Sequence, residues 1–236
     1  MSQSFKTVAL LPMKAHSARV KGKNFRNFAG KPLFRWILDT LLEVEEIDQI
    51  VINTDARDIL EGHGLTETDQ ITIRDRKPDI CGDHVSMNLV IQDDMAAVDA
   101  ETFLMTHTTN PLLSAGTIRS AIDSYYKGVV RDGSDSLFTV NEYQTRFYRK
   151  DGSAVNHDPN VLLPTQELEP WYEENSNLYI FTKNSFESTH ARIGERPILF
   201  PTPTLEAADI DNPTQWRIAE IIALAEMLVQ SAEPVG

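Results

Sequence analysis

The sequence predicts an α/β domain built on a mainly parallel sheet with helices on both faces. Two observations carry that expectation. Strand-like and helix-like segments alternate through residues 1–125, which is the pattern of βαβ units. The 236 residues, 41% of them hydrophobic, are enough for one sizeable core, and chains of this length routinely form a single domain. Residues 1–236 are therefore read as one unit.

The elements follow in order. Residues 7–11 read as a short apolar strand ended by Pro12, and a basic, irregular stretch follows at 14–27. Leu33, Phe34, Ile37, Leu38 and Leu41 then recur at helical spacing. Residues 49–53 form a second strand, Thr54 and Asp55 open another helix, and 71–73 give a third strand. A helix over 87–98 and a fourth strand at 102–105 come next, and Ser114 caps a helix carrying Ile118 and Ile122. The second half is less regular. It offers a strand at 136–140, a hairpin-like turn at 150–153, an acidic, Pro-bearing loop at 163–174 and a strand at 177–181. Asn212 and Pro213 start the last helix, with Asn as cap and Pro at its first position. Ile218, Ile221, Ile222, Ala225 and Leu228 repeat along it.

Composition narrows the function. The net charge of −13 argues against nucleic acid or an anionic membrane as partner, since both reward a basic surface. The single cysteine, Cys81, cannot form an internal disulfide, which fits a reducing compartment and excludes a cysteine-based zinc site. No apolar run approaches the ~18–20 residues that span a bilayer. The opening run Val8–Leu11 is too short, and too promptly broken by Pro12, for a signal peptide, so a cytoplasmic protein is expected.

In parallel sheets ligands bind beyond the carboxyl ends of the strands, which directs attention to the loops after the first, second and fourth strands. The first of these holds Lys14, Arg19, Lys21 and Lys23, four cations within ten residues of a chain with only 22 Lys plus Arg. Such a cluster can hold a polyphosphate and neutralise charge on its leaving end. It lacks the spaced glycines of a Walker A loop and of a dinucleotide fingerprint.

Residues 11–14 through Lys23 and Asn24, followed by Gly30-Lys31-Pro32-Leu33, resemble the signature of the acylneuraminate cytidylyltransferase family, approximately P-A-R-x-x-S-K-R-x-x-x-K-N and then G-K-P-L. Ser17, Arg19, Lys23 and Asn24 match. Lys14 stands where the family usually has Arg, and Ala18 where it often has Lys. Lysine keeps the charge but loses bidentate geometry. Asn53-Thr54-Asp55 is similar to the family's S-T-D. Arg76, Ile80, Asp83 and Ser86 echo its R-P-x-x-L-x-x-D segment, which helps hold the nucleotide. Thr109-Asn110-Pro111-Leu112 resembles T-S-P-L-R with Leu113 in place of the Arg, and residues 175–180, including Tyr179, resemble N-G-x-x-Y-I.

Asp209-Ile210-Asp211 stands where the family's paired aspartates precede the last helix. On an extended segment alternate side chains point apart, so one Asp facing solvent or the helix N-terminus is an open alternative to metal binding. The resemblance implies that Asp211 ligates Mg²⁺ directly and Asp209 does so directly or through water, with substrate phosphates and waters completing its shell. It also implies a Rossmann-like fold of the nucleotide-diphospho-sugar transferase type, and a small β excursion at about 141–176 used in a homodimer.

The implied reaction is transfer of CMP from CTP to the hydroxyl of an acidic sugar, with release of pyrophosphate. Lys14, Arg19, Lys23 and Asp211 are its expected catalytic residues. Ser17, Asn24, Arg76, Asp83, His107, Thr109 and Asn110 are the expected substrate contacts. His107 stands where the family often carries a Gln near nucleotide or sugar, and an ordinary loop histidine is the alternative there. His16 lies in the basic loop, and the other histidines show no ligand spacing. Thr165 and Glu173 occupy places where sialic-acid enzymes tend to have Arg, so pseudaminic, legionaminic, Kdo-like and phosphonate acceptors stay open. So does a nucleotide-binding homologue without catalysis.

Overall fold

The computed structural model describes residues 5–17 and 19–232, so the departure at Ala18 lies outside the described residues. Seven strands form one sheet in the order β5-β4-β1-β6-β8-β7-β9. Their ranges are β1 Phe5–Leu10, β4 Gln49–Thr54, β5 Ile71–Asp75, β6 Ala100–Thr106, β7 Ser136–Tyr143, β8 Trp171–Phe181 and β9 Pro197–Pro201. A two-stranded ribbon, β2 Asn27–Phe28 with β3 Lys31–Pro32, lies apart from it. β1 is parallel to β4 and β6, β4 to β5, and β7 to β9, while β8 runs antiparallel to both β6 and β7. The sheet is thus mainly parallel, with one reversed strand inserted.

Six helices cover it: α1 Leu33–Leu42, α2 Arg57–Gly62, α3 Met87–Ala97, α4 Ala115–Asp132, α5 Lys183–Thr189 and α6 Pro213–Ala232. Alternate residues along β1 enter opposite cores, as the two-residue period of a strand requires. Ala9 packs with Phe34, Leu38, Ile118 and Ile122 from α1 and α4. Val8 and Leu10 pack with Ile91, Met95 and Phe186 from α3 and α5. A third cluster joins Phe28 and Leu33 to Ile210 and to Trp216, Ala219 and Ala223 of α6, which clamps α6 onto the ribbon.

Local chemistry sets most boundaries. Ser114 and Thr182 cap α4 and α5 through side-chain oxygens, and Thr182 with Ser185 forms a capping box. Asn212 Oδ1 accepts the N–H groups of Thr214 and Gln215, so the expected cap of α6 is in place. The turn at 150–153 closes an isolated bridge between Tyr148 and Ala154, with Gly152 at φ 85°.

Three expectations need correction. The loop expected at 163–174 is strand from Trp171 onward, where it pairs residues 140–143 of β7. Residues 171–174 of this extension are all exposed, so no alternation of buried apolar residues marked it. α5 and β9 were not foreseen, because both are short and β9 is bounded by prolines. α6 buries Trp216, Ala219 and Ala223, whereas Ile218, Ile221 and Leu228 face outward.

Candidate active site

The chain leaves β1 still tied to β4: Leu11 N–H donates to Val51 O at 2.9 Å and Met13 N–H to Asn53 O at 3.0 Å. Ala15 N–H then bonds Asp55 Oδ1 at 2.7 Å. The basic loop therefore starts from a fixed backbone at the sheet's carboxyl edge. It ends at Gly22, whose φ of 61° admits the chain to a single 3₁₀ turn, Lys23–Phe25. A cleft of about 510 Å³ opens above, lined by Lys14, Ser17, Arg19, Lys23, Asn24, Arg76, Asp83, His107, Thr109 and Asp211, all of which the sequence had singled out.

Lys23 is its buried floor. Its Nζ donates to Ile210 O at 2.6 Å and lies 3.7 Å from Asp211 Oδ1. Burial pulls its ammonium below the usual lysine range, against the opposing attraction of Asp211 and Asp209. Arg19 Nη1 bonds Asp211 Oδ2 at 2.9 Å. Lys14 forms an ion pair with Asp83, which holds that carboxyl below its ordinary value. Asn24 is spent within the protein: Nδ2 donates to Lys14 O at 2.8 Å and Oδ1 accepts from Thr108 Oγ1 at 2.7 Å. It shapes the loop around the cleft with both ends of its amide.

Arg76 is half-committed. Nε bonds Asn53 Oδ1 at 2.8 Å, and Nη2 bonds the carbonyls of Asn53 at 2.8 Å and Met13 at 3.2 Å. Asn53 is oriented in turn by Asp94, whose Oδ1 takes its Nδ2 proton at 2.7 Å. Arg74 pairs with both Asp93 and Asp94. Burial pushes the Asp94 carboxyl up to about 6 despite these donors. Sequence reading missed Asp94, Arg74 and Thr108, because an acid inside α3 or a threonine beside a loop histidine carries no motif.

The two aspartates differ. Asp211 is partly open and meets Arg19 and Lys23. Asp209 is tied to Thr109, which holds its carboxyl down, but burial and the neighbouring Asp211 raise it overall. Its Oδ1 is buried and has no partner among the described residues. Thr109 O also accepts Ile210 N–H at 2.9 Å, which docks this segment onto the loop after β6. Among the described residues no group of three or more His, Cys, Asp or Glu gathers as a cage. Two carboxylates, one with an unused buried oxygen, suit a hard cation that arrives with phosphates and waters as its other ligands.

His107 faces the cleft beside Arg192, whose Nη1 is 3.4 Å from Nε2. Burial first, then Arg192 and Lys23, depress the imidazole to about 3, so it is neutral. Asn110 is wholly buried beneath the site and absent from the cleft wall; its Nδ2 donates to Asn177 Oδ1 at 2.7 Å. Leu113 is also buried, packed in the core with α1 and α4, so its lack of charge does not change the cleft.

A mainly parallel α/β sheet with a cation-lined cleft over the ends of β1, β5 and β6, with Asp211 in its wall and Asp209 buried beside it, defines a nucleotidyltransferase. Residues 8–232 match the family described as Cytidylyltransferase, and the chain belongs to that family. It is 26% identical to the CMP-N,N′-diacetyllegionaminic acid synthase of Legionella pneumophila, over 90% of this chain and 94% of that one. It is 22% identical to the pseudaminic acid cytidylyltransferase of Campylobacter jejuni, over 92% and 96%. Among solved structures, CMP:2-keto-3-deoxy-manno-octonic acid synthetase complexed with CTP superimposes with a TM-score of 0.64 at 12% identity, covering 94% of this chain and 99% of that one. The 4-diphosphocytidyl-2C-methyl-D-erythritol synthase of Anaerococcus prevotii gives 0.65 at 14%, covering 94% and 99%. The nucleotide-diphospho-sugar transferase fold expected from the sequence is therefore the fold found.

Proposed function

We propose that this enzyme transfers the cytidylyl group of CTP to the hydroxyl of an acidic sugar of the nonulosonate class and releases pyrophosphate. The observation that carries the reading is the meeting of Lys23, Arg19 and Asp211 in the wall of one cleft, with Asp209 buried close beside them. Relatives named for legionaminic, pseudaminic and N-acylneuraminic acids, all matched over about nine-tenths of this chain, support the acceptor class.

In this reading the triphosphate lies over Lys23, with Lys14, Ser17 and Arg19 around it and Arg76 helping to place the nucleotide. The acceptor oxygen forms a bond to the α-phosphorus while the bond between that phosphorus and the α,β-bridging oxygen breaks; pyrophosphate leaves with the bridging oxygen, and the hydroxyl proton passes to solvent. Lys14 and Arg19 exchange their carboxylate partners for phosphate oxygens as substrate enters, so charge is in place before the reaction begins. Asp209 and Asp211 would hold Mg²⁺, which when bound neutralises phosphate charge and orients the groups. Most of the catalysis is positioning and electrostatics.

Asn24 and Asn110 support this site from within the protein. The chain acts as one cytidylyltransferase domain. The excursion at 141–176, with Tyr148, Leu162, Trp171 and Tyr172 exposed, supplies the contacts of a homodimer. No helix among the described residues is long and apolar enough to cross a membrane, in keeping with a cytoplasmic enzyme.

Glu173, outside the cleft wall, stands where sialic-acid enzymes tend to have Arg, and that departure supports testing acceptors other than N-acetylneuraminate. Its carboxyl on β8 accepts hydrogen bonds from Asn141 Nδ2 at 3.0 Å and the Tyr143 hydroxyl at 2.9 Å. The test is pyrophosphate release from CTP with pseudaminic, legionaminic, neuraminic and Kdo acids, with mass detection of the CMP conjugate. Tight CTP binding without release for any of them overturns the reading.

A further inference from the structure

We infer that Arg192, together with the ring of His107, forms the seat for the acceptor's carboxylate. The inference rests on the acidic-acceptor reading above and names the side chains that would enforce it.

Arg192 belongs to the segment between α5 and β9, which is pinned on both sides. The Thr189 hydroxyl donates to Ile193 O at 3.0 Å, and the Asp135 carboxylate accepts the N–H groups of Glu195 at 2.9 Å and Arg196 at 3.0 Å. The guanidinium carbon sits 3.8 Å from the centroid of the Tyr179 ring. Stacking of this kind holds a cation without consuming its N–H groups. Nη2 is 3.3 Å from Glu174 Oε1, an oxygen that also accepts the Tyr179 hydroxyl proton. Nη1 meets His107 Nε2 at 3.4 Å and Met105 Sδ at 3.8 Å. A guanidinium carries five donors. Three contacts leave two without partners among the described residues.

The contact with His107 has a chemical corollary. Arginine can only donate, so Nε2 must be the unprotonated nitrogen and the ring's proton must sit on Nδ1. No residue among those described takes that N–H. Arg192, which is not itself part of the cleft wall, thus brings a cation with spare donors against His107, which lines the cleft and carries a neutral N–H donor, a pairing suited to the two oxygens of a carboxylate. Lys14, Arg19, Arg76 and Lys23 also have protein partners, as Arg192 has in Glu174, and in the proposed function these four serve the nucleotide and its phosphates. Those are the groups a triphosphate needs. An acid bound at the same time requires its own cation, and Arg192 supplies it.

The test compares wild type with Arg192→Met and Arg192→Lys, using CTP and whichever acid of the panel the wild type turns over. Met keeps the apolar contact with Tyr179. It should raise the acceptor KM by roughly ten- to a hundredfold, the scale of a lost charge-assisted hydrogen bond, while the CTP KM stays within about twofold. Lys should restore part of the loss. In ¹⁵N-histidine spectra of the free enzyme, His107 should hold its proton on Nδ1 in the wild type and lose that preference in Arg192→Met. A wild type that turns over an acid while Arg192→Met leaves the acceptor KM unchanged, or raises both KM values alike, overturns the Arg192 assignment. A His107 protonated on Nε2 in the wild type overturns the pairing. A wild type that turns over no acid sinks the acidic-acceptor reading itself, and the carboxylate assignment with it.

Discussion

Arg19 Nη1 and Asp211 Oδ2 lie 2.9 Å apart although 192 residues separate them in the chain. The pair joins the loop after β1 to the approach to α6, and both side chains are substantially exposed. Exposed ion pairs contribute about 0.2–1 kcal/mol, so this one yields readily to a phosphate or a metal.

Asp211→Ala should therefore move two measurements in opposite directions. Turnover should fall by about a thousandfold or more, the loss of several kcal/mol of transition-state stabilisation. CTP binding in EDTA should tighten a few-fold, because an anion facing the phosphates is gone and Arg19 is released. Calorimetry and pyrophosphate release check the two halves. A variant with near-normal turnover would remove Asp211 from the metal site.

Lys23 has its ammonium depressed by burial, and the sign of the consequence can be worked out. Between the lowered value and that of an unfolded lysine the unfolded chain binds more protons, so this group's contribution to stability rises with pH. Activity, which needs the ammonium, falls across the same window. Comparing alkaline pH profiles of Tm and kcat/KM for wild type and Lys23→Met should show both trends in the wild type and neither in the variant. The variant should also lose about a hundredfold in kcat/KM, consistent with removal of a buried charge aimed at phosphate.

Asp94 is an acid of the opposite kind, with a carboxyl raised to about 6. An unfolded Asp titrates near ~3.9, so the folded form binds more protons between the two values. The resulting stabilisation is complete below about pH 4 and is lost as pH rises through about 6. Thermal melts of the wild type should carry that slope, and those of Asp94→Asn should be flatter. Because Asp94 orients Asn53 and Asn53 orients Arg76, Asp94→Ala should also raise the CTP KM several-fold. An unchanged KM would show that Arg76 keeps its place without the chain behind it.

Asn24→Ala removes two bonds at once, to Lys14 O and Thr108 Oγ1, in a buried setting. A loss of about 1–3 kcal/mol in denaturant unfolding is expected, together with weaker CTP binding. Asn24→Asp should not rescue it, since a carboxylate cannot donate to Lys14 O.

The parallel half of the fold was legible because β1, β4, β5 and β6 are short apolar runs between periodic helices. The floor of the site was legible for a different reason: Lys14, Arg19 and Lys23 crowd one loop in an acidic chain, and Asp209 and Asp211 stand just before an Asn-Pro helix start. What stayed hidden depends on tertiary contact. Asn110 shares a motif with Thr109, yet the turn buries one and exposes the other to the cleft. Leu113 read as a lost charge and is a core residue. Trp171–Glu174 looked like loop, because four exposed residues in a row carry no hydrophobic period. Arg192 lay in a segment with no motif, and its role comes from Tyr179 and His107, which two other strands deliver.

β8, the single reversed strand, makes the sheet divisible. The residues proposed to hold the triphosphate hang from β1, β5 and the approach to α6, whereas Glu174, Tyr179 and the Arg192 segment belong to β8 and the chain that follows it. If Arg192 and His107 seat the acceptor as proposed, the acceptor side of the site is carried by β8, the chain after it and the loop after β6, and replacements there should retune which acid is accepted while CTP binding is kept.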